Sequence, residues 1–286
     1  MDIFTVITIF FVVVTTMFGV VIGSFLNVVI YRIPEGRTIV KGHSMCMSCG
    51  HNLGALDLVP IFSWLFLGGK CRYCKAPVAS RYIKIESFTG LVFLLYALTH
   101  THYQINILDP YNFPRLVFFI SYCIVLLMYA ALVSSMMIYY DKQKAYYGFT
   151  VFSASCAVVL TILTSFVADY PSAILYLLVS CSVSLIIVGV LALFCKICRK
   201  KYTSTDFWLD LPYAIFYAYF GALLIQYDYA VIAAVVFLII PRLFLKGTKL
   251  EKYSAIVSTC GLVLANVAGF VINLLTDNLF CNILSF

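Results

Sequence analysis

Four cysteines near the amino-terminal end of the chain occur as two Cys-x-x-Cys pairs. Cys46 and Cys49 form the first pair, Cys71 and Cys74 form the second, and 21 residues lie between the pairs. This spacing is typical of structural zinc sites, in which four thiolates surround the ion tetrahedrally. Four sulfur ligands leave no open position on the metal, so we expect a structural rather than a catalytic ion. A disulfide or ordinary packing of the cysteines is the alternative interpretation.

Acidic side chains are scarce, and two of them lie where apolar stretches end or begin. The chain has 12 acidic residues; Asp141 closes one apolar stretch and Asp206 opens another. Two carboxylates at one membrane depth can share a proton, so that one activates a water as a base and the other polarises a peptide carbonyl as an acid. Asp210, one helical turn after Asp206, is a rival for the second place. Alternatively, these acids cap helices or pair with neighbours such as Lys142.

The composition shows which elements must position these groups. The 286 residues are 63% hydrophobic and 11% charged, with a mean hydropathy of +1.02, whereas soluble domains are about 25% charged. A soluble globule, a disordered chain and a small disulfide-stapled domain are therefore excluded. The pattern predicts an all-α polytopic membrane protein with about eight transmembrane helices, since a span needs roughly 20 apolar residues. The predicted spans are 5–31, 84–100, 115–140, 146–168, 172–195, 208–226, 229–245 and 254–276.

The basic residues indicate the orientation of these spans. With eight crossings, 18 of the 19 Lys and Arg residues fall in loops on one side, and only Arg115 falls on the other. The positive-inside rule puts these loops in the cytoplasm and both termini outside. The net charge of +7 is then a consequence of topology, and no nucleic-acid partner is expected. The longest cytoplasmic loop, 32–83, contains the four cysteines and is predicted to be a zinc-binding domain between the first two spans, cross-linked by its metal.

Five segments between residues 23 and 90 carry recognisable motifs. They are GSFLNVVIYRIP at 23–34, CMSCGH at 46–51, DLVPIFSWL at 57–65, GKCRYC at 69–74 and SRYIKIESFTG at 80–90. In order and spacing they resemble the amino-terminal domain of the bacterial type IV prepilin peptidase family, and the eight-span layout extends the resemblance over the whole chain.

The resemblance implies a bifunctional enzyme of the bacterial cytoplasmic membrane. Such an enzyme removes the leader from type IV prepilins and pseudopilins as an aspartic peptidase, and then methylates the new amino terminus with S-adenosylmethionine. It implies that Asp141 and Asp206 are the catalytic pair. The family has Gly-x-Gly-Asp around its second aspartate, whereas this chain has Thr203-Ser-Thr-Asp206. That departure leaves an alternative: a peptidase-inactive family member that acts as a zinc-knuckle adaptor for pilus or secretion assembly.

The resemblance also divides the chain by function. It implies a first transmembrane helix at 1–31, a cytoplasmic zinc-binding domain involved in methyl transfer at 32–83, and a seven-helix peptidase domain at 84–286. Asp57 and Glu86 are the residues expected to bind the methyl donor or to orient the amine. The alternative is that they pair with Arg72, Arg81 or Lys84. Membrane lipid is an expected partner, and the oligomeric state is left open by the sequence.

Overall fold

A computed structural model describes residues 3–104, 113–168, 172–220, 233–265, 267–268 and 271 of the chain. It divides into two compact units, Met1–Thr101 and His102–Phe286. The described part of the chain is helical, and its β-structure is limited to two isolated bridges. The predicted all-α fold is therefore confirmed.

The first unit contains two long helices joined by a loop. Helix α1 (Ile3–Arg32) ends where Pro34 follows, because proline lacks the N–H that a continuing helix requires. The loop contains the short helix α2 (Phe62–Phe66), and α3 (Arg81–Gln104) follows it. The four predicted metal-ligating cysteines lie in this loop, between the two long helices, as expected.

Small residues let α1 and α3 approach closely. A Cβ atom on Gly23 would lie 2.8 Å from the Cα of Glu86, and one on Gly90 would lie 2.6 Å from a methyl carbon of Val20. Gly19, one turn before Gly23, faces the ring of Phe93. Any larger residue at these positions would push the two backbones apart.

The described part of the second unit contains six helices and several short turns. The first five helices are α4 (Phe113–Lys142), α5 (Tyr147–Ala168), α6 (Ser172–Ile197), α7 (Ser204–Ile215) and α8 (Ile240–Leu245). π-Helical turns cover Phe216–Phe220 and Val235–Ile239, a 3-10 turn covers Glu251–Tyr253, and residues 254–265 form a further helix, α9.

Buried aromatic residues join three of these helices. The rings of Tyr129 on α4 and Phe216 after α7 lie 4.8 Å apart, and the hydroxyl groups of Tyr213 and Thr259 share a hydrogen bond of 2.8 Å. Helix α7 also contains Pro212, which cannot donate a hydrogen bond to the carbonyl of Trp208. That carbonyl accepts a hydrogen bond from the Thr150 hydroxyl on α5 instead.

Four described segments are long and apolar enough to cross a membrane. They are Thr5–Glu35, Arg81–Thr99, Phe119–Lys142 and Leu178–Ile197. Tyr147–Leu163 and Val235–Leu245 are apolar but shorter. The chain is therefore a multi-pass membrane protein, but the eight predicted spans are not confirmed. Parts of the predicted spans 208–226, 229–245 and 254–276 lie outside the described residues.

Candidate functional site

The two Cys-x-x-Cys segments fold into equivalent hairpins, which we call knuckles. An isolated bridge between Met45 and Asn52 closes the first, and one between Lys70 and Pro77 closes the second. In each knuckle the fourth residue after the first cysteine has a left-handed backbone; it is Gly50 (φ 70°) in one and Lys75 (φ 61°) in the other. The N–H of that residue donates to the carbonyl of the first cysteine in both cases.

The knuckles bring the four cysteines together with the geometry of a metal site. The four Sγ atoms lie within 4.8 Å of one another, and Cys46 Sγ lies 3.8 Å from Cys74 Sγ. All four are free thiols, so the disulfide alternative is not supported. A tetrahedral ion with metal–sulfur bonds of about 2.3 Å requires sulfur–sulfur distances of about 3.8 Å. The residues present therefore fit a four-sulfur metal site.

The knuckle backbone favours ionised sulfur. Backbone N–H groups of Cys49 and Ser48 hydrogen-bond to Cys46 and lower the pKa of its thiol to about 6. At Cys74 the N–H of Ala76 acts in the same direction, but burial and the neighbouring thiols raise the pKa to about 11. Four thiols this close cannot all ionise alone, so a cation must compensate their charge.

Asp57 links the loop to the second knuckle. Its Oδ1 accepts a hydrogen bond from Arg72 Nε at 2.6 Å, and its Oδ2 accepts from the Tyr73 hydroxyl at 3.0 Å and from the Gly54 N–H at 3.1 Å. The hydrogen bond with Arg72 is the main reason that the pKa of Asp57 is lowered. The ring of Tyr73 in turn stacks on His51 of the first knuckle, with centroids 3.7 Å apart. Asp57 thus holds both knuckles in place.

Glu86 holds a strained turn of the same loop. Ile61 has a left-handed φ of 63°, which is unusual for a β-branched residue. Its N–H donates to Glu86 Oε2 at 2.7 Å, and Glu86, on α3, is only 7% exposed. The buried carboxylate therefore fixes the turn that begins α2.

The second unit contains a group of ionisable side chains, which we call the charged cluster: the buried Asp206, Asp210, Arg242 and Lys246, and the partly exposed Glu251. Arg242, on α8, is 2% exposed. Its Nε donates to Asp210 Oδ1 at 2.6 Å and its Nη2 to Asp206 Oδ1 at 3.4 Å. Helix α7 presents both aspartates on one face because they are four residues apart. One guanidinium thus bridges two carboxylates.

Asp206 has polar contacts with three residues: Arg242, Lys246 and Thr203. Lys246 Nζ lies 2.5 Å from its Oδ1, and both the N–H and the hydroxyl of Thr203 donate to its Oδ2, at 2.7 and 2.6 Å. Thr203 and Asp206 form a capping box at the start of α7. Burial raises the pKa of Asp206, but the hydrogen bonds from Lys246 and Thr203 outweigh burial and lower it overall.

Asp206 also lines a pocket of about 520 Å³, which we call the basic pocket. Its ionisable lining comprises two acids and four bases: Asp206, Glu251, Arg199, Lys200, Lys201 and Lys246. Asp210 is not among the residues that line it. Its two oxygens accept hydrogen bonds from Arg242 and from the Tyr202 hydroxyl. Asp141 is exposed at the end of α4 and is not among the residues that line the pocket.

Sequence reasoning missed Arg242 and Lys246. In the sequence both belong to one of the predicted basic loops, and they lie 36 and 40 residues after Asp206, so no local pattern links them to it. One signal was present, because Pro241 and Arg242 interrupt an apolar stretch, and a charge within such a stretch needs a partner.

Comparison with known families identifies the first part of the chain. Residues 17–100 match the family model described as the Bacterial Peptidase A24 N-terminal domain. The match covers both knuckles, Asp57 and Glu86. The predicted resemblance to the type IV prepilin peptidase family is thus confirmed for this part of the chain.

Three curated relatives from different organisms share one name. Proteins named "Prepilin leader peptidase/N-methyltransferase" are 47% identical over 75 residues in Myxococcus xanthus and 36% identical over 107 residues in Aeromonas hydrophila. The one from Pseudomonas aeruginosa is 35% identical over 105 residues. The alignments cover 26%, 29% and 29% of this chain and 22%, 37% and 36% of the relatives, so the chain spans well under half the length of the curated relatives it matches. No solved structure matches the chain.

Proposed function

We propose that the protein is a prepilin leader peptidase and N-methyltransferase. In this proposal it cleaves the leader from type IV prepilins or pseudopilins and methylates the new amino terminus with S-adenosylmethionine. The observation that carries the proposal is the four-cysteine cluster, built from two equivalent knuckles within the segment that matches the Bacterial Peptidase A24 N-terminal domain. The name of the similar proteins supports it.

We propose zinc as the metal of the four-cysteine site and a structural role for it. Zn²⁺ prefers four thiolates in a tetrahedron, and the sulfur–sulfur distance of 3.8 Å fits its bond length. The loop 36–80 buries few apolar side chains, and Phe62 and Phe66 are 58% and 85% exposed. Metal binding would therefore supply the folding free energy that an apolar core supplies elsewhere.

The methyl-transfer activity is proposed for residues 32–83 together with the start of α3. The sulfonium of S-adenosylmethionine supplies the methyl group when it is bound, and the protein has only to align donor and amine. Asp57 and Glu86 are the proposed donor-binding residues. Their present contacts to Arg72, Tyr73 and the Ile61 N–H support an indirect action, in which they hold the loop surface that meets the donor.

Two variants separate direct donor binding from loop support. Asp57→Asn and Arg72→Met both break the same ion pair, and only the first removes a carboxylate. If Asp57 contacts the donor, Asp57→Asn will weaken binding of radiolabelled S-adenosylmethionine by more than Arg72→Met does. Equal losses in the two variants would assign Asp57 to loop support alone.

Leader cleavage is proposed for Asp141 and Asp206. In the first step Asp206 accepts a proton from water as the water oxygen attacks the peptide carbonyl, and protonated Asp141 donates its proton to the carbonyl oxygen, which gives a tetrahedral intermediate. In the second step Asp206 returns its proton to the amide nitrogen and Asp141 takes one back from the hydroxyl, so that the C–N bond breaks and the carbonyl re-forms. Three donors around Asp206, from Lys246 and Thr203, favour its ionised form, as a base requires. Asp206 is preferred over Asp210 because only Asp206 lines the basic pocket.

The proposed setting is the bacterial cytoplasmic membrane, with the four-cysteine loop and the basic pocket on the cytoplasmic side. The distribution of Lys and Arg over the loops supports this sidedness. Membrane lipid and the apolar helix of the prepilin would then be the partners of the long helices. The division at 1–31, 32–83 and 84–286 is part of the same proposal.

Intact-mass analysis tests both activities. The purified protein is incubated with a prepilin substrate in lipid, with and without S-adenosylmethionine, beside Asp141→Asn, Asp206→Asn and Asp210→Asn variants. The proposal predicts that the unaltered protein removes the leader from the prepilin and that the first two variants do not. The mass of a methyl group should be added to the cleaved prepilin only when S-adenosylmethionine is present. Cleavage that survives Asp206→Asn would contradict the assignment of the base.

A second candidate function is a peptidase-inactive adaptor that uses its knuckles to dock pilus or secretion proteins. The observation that favours it is the neutralisation of Asp206 by Lys246 and Arg242, which is also what a purely structural carboxylate would show. Under this function neither the unaltered protein nor Asp206→Asn would cleave a prepilin, and Asp206→Asn would only lower the melting temperature. Cys71→Ser would abolish docking.

A further inference from the structure

The basic pocket has an excess of positive charge that the charged cluster does not neutralise. Four bases and two acids line it, and both acids already pair with Lys246, at 2.5 Å for Asp206 and 3.7 Å for Glu251. Arg199 and Lys201 have no acidic partner in the part of the chain that the structure describes. An anion in the pocket would compensate these two charges.

The backbone around the pocket is held in an unfavourable conformation. Gln143 after α4 and Arg199 after α6 both have left-handed backbones, with φ of 50° and 56°, and both line the pocket. Glycine is the usual residue at such helix ends because a side chain costs free energy there. Strained non-glycine residues concentrate at binding sites, where their side chains are needed. Both side chains are thus held at the pocket by a backbone conformation that glycine would adopt at lower cost.

The depth of the pocket in the membrane indicates which anion is available. The apolar segments Phe119–Lys142 and Leu178–Ile197 end one and two residues before Gln143 and Arg199. The pocket therefore begins where the hydrocarbon core ends, at the level of lipid phosphates. Basic pockets between transmembrane helices at this level bind anionic headgroups. Thr203 and Thr205, at the start of the 12-residue helix α7, also line the pocket.

We propose that the part of the basic pocket lined by Arg199 and Lys201 is a phosphate-binding site, and that the headgroup of an anionic phospholipid is its ligand. Arg199 and Lys201 would contact the phosphate oxygens, and Lys200 would contribute charge while its Nζ donates to the Leu243 carbonyl. The proposal does not depend on leader cleavage or methyl transfer. It adds a lipid requirement at the pocket that Asp206 also lines.

Native mass spectrometry of the full-length protein in detergent tests this proposal. The probes are dioleoyl-phosphatidylglycerol, dioleoyl-phosphatidylcholine with the same acyl chains, and inorganic phosphate as a competitor. The proposal predicts preferential binding of phosphatidylglycerol, which millimolar phosphate reduces. Arg199→Gly and Lys201→Gln should each weaken phosphatidylglycerol binding by about tenfold or more, since each removes a charged hydrogen-bond donor.

Two controls distinguish loss of the binding site from unfolding and from a general loss of positive charge. Arg199→Gly suits the left-handed backbone, so its melting temperature should be unchanged or raised while binding falls. Lys196→Gln removes an exposed charge from the same segment outside the pocket, and its binding should be unchanged. If inorganic phosphate binds in a way that depends on Arg199 but the two lipids bind equally, the phosphate-binding site stands and the lipid is ruled out as its ligand in favour of a soluble phosphate. Equal binding of both lipids, unaffected by Arg199→Gly and by phosphate, would overturn the proposal.

Discussion

Arg242 donates hydrogen bonds to four side chains, and its buried guanidinium has enough N–H groups to reach all four. Besides the two aspartates, its Nη1 donates to the Ser254 hydroxyl at 2.9 Å and to the Tyr139 hydroxyl at 3.3 Å. A planar fork of five N–H donors can serve such a set, whereas a lysine ammonium cannot. Arg242 therefore fixes α7 relative to α4 and α9, whereas Lys246 lies close to Asp206 and farther from Glu251.

The Lys246→Met variant is expected to shift the pH dependence of leader cleavage. Without Lys246, burial acts on Asp206 with less opposition, so the pKa of Asp206 rises. A base must be ionised, so cleavage is lost as the pH falls through that pKa. The acidic limb of the kcat/KM profile should therefore move to higher pH in Lys246→Met and stay near its original position in Lys246→Arg. An unchanged acidic limb in Lys246→Met would contradict this role of Lys246.

A second residue-scale prediction concerns the equivalent left-handed positions of the knuckles. Lys75→Gly should strengthen zinc binding by about 1 kcal/mol, because glycine adopts positive φ without steric cost. Gly50→Ala, at the equivalent position of the first knuckle, should weaken zinc binding by a similar amount. Competition with a chromogenic chelator measures both changes. The interpretation fails if the two variants change affinity in the same direction.

The residues of the metal site were predictable from the sequence, and those of the charged cluster were only partly so. The spacing of Cys46, Cys49, Cys71 and Cys74 is local and specific, because each pair forms one hairpin. The contacts of Asp206 depend instead on how distant helices pack. No spacing rule links Asp206 to Arg242 or Lys246, so the aspartate was predictable as a candidate and its partners were not.

At the scale of elements, the approach of α1 to α3 depends on residues without side chains. Gly23→Leu should destabilise the first unit by about 1 to 3 kcal/mol or more, because its Cβ would meet the backbone of Glu86 at 2.8 Å. Gly189→Leu on α6 is the control, since nothing lies within 4 Å of its Cβ position. Thermal unfolding in detergent measures both. Equal melting temperatures for the two variants would contradict the packing described for Gly23.

The elements were predictable where apolar runs are long and uninterrupted. The run in α1 spans 30 helical residues, and its extent and the internal packing of Gly19 and Gly23 agree with the sequence pattern. Around α7 and α8 the apolar pattern is the same, but Pro212 and Pro241 break the regular hydrogen bonding. Hydropathy does not register such changes, so it cannot show where the described parts of these spans pass between α-helix and π-helical turns.

At the scale of the whole molecule, metal removal should affect one compact unit only. Chelation of zinc is expected to expose the amides of residues 36–80 to hydrogen exchange, because the knuckles have little apolar packing to hold them. The helices of His102–Phe286 should keep their protection, since they form a separate compact unit. Exchange measured by mass spectrometry, with Cys71→Ser as the metal-free reference and Cys198→Ser as the control, tests this. Equal exchange of residues 36–80 with and without zinc would contradict it.

The bridge that Arg242 makes between Asp206 and Asp210 has a consequence for biogenesis. Translocon-based scales assign a cost of about 2.5 to 3.5 kcal/mol to a single charged residue at the centre of an inserting helix. Helix α7 contributes two carboxylates and α8 the guanidinium that bridges them, and Lys246, directly after α8, supplies the second positive charge. Neither aspartate has these partners while only α7 has been made. Synthesis is therefore expected to extend past Lys246 before α7 reaches its place at the membrane with its charges paired.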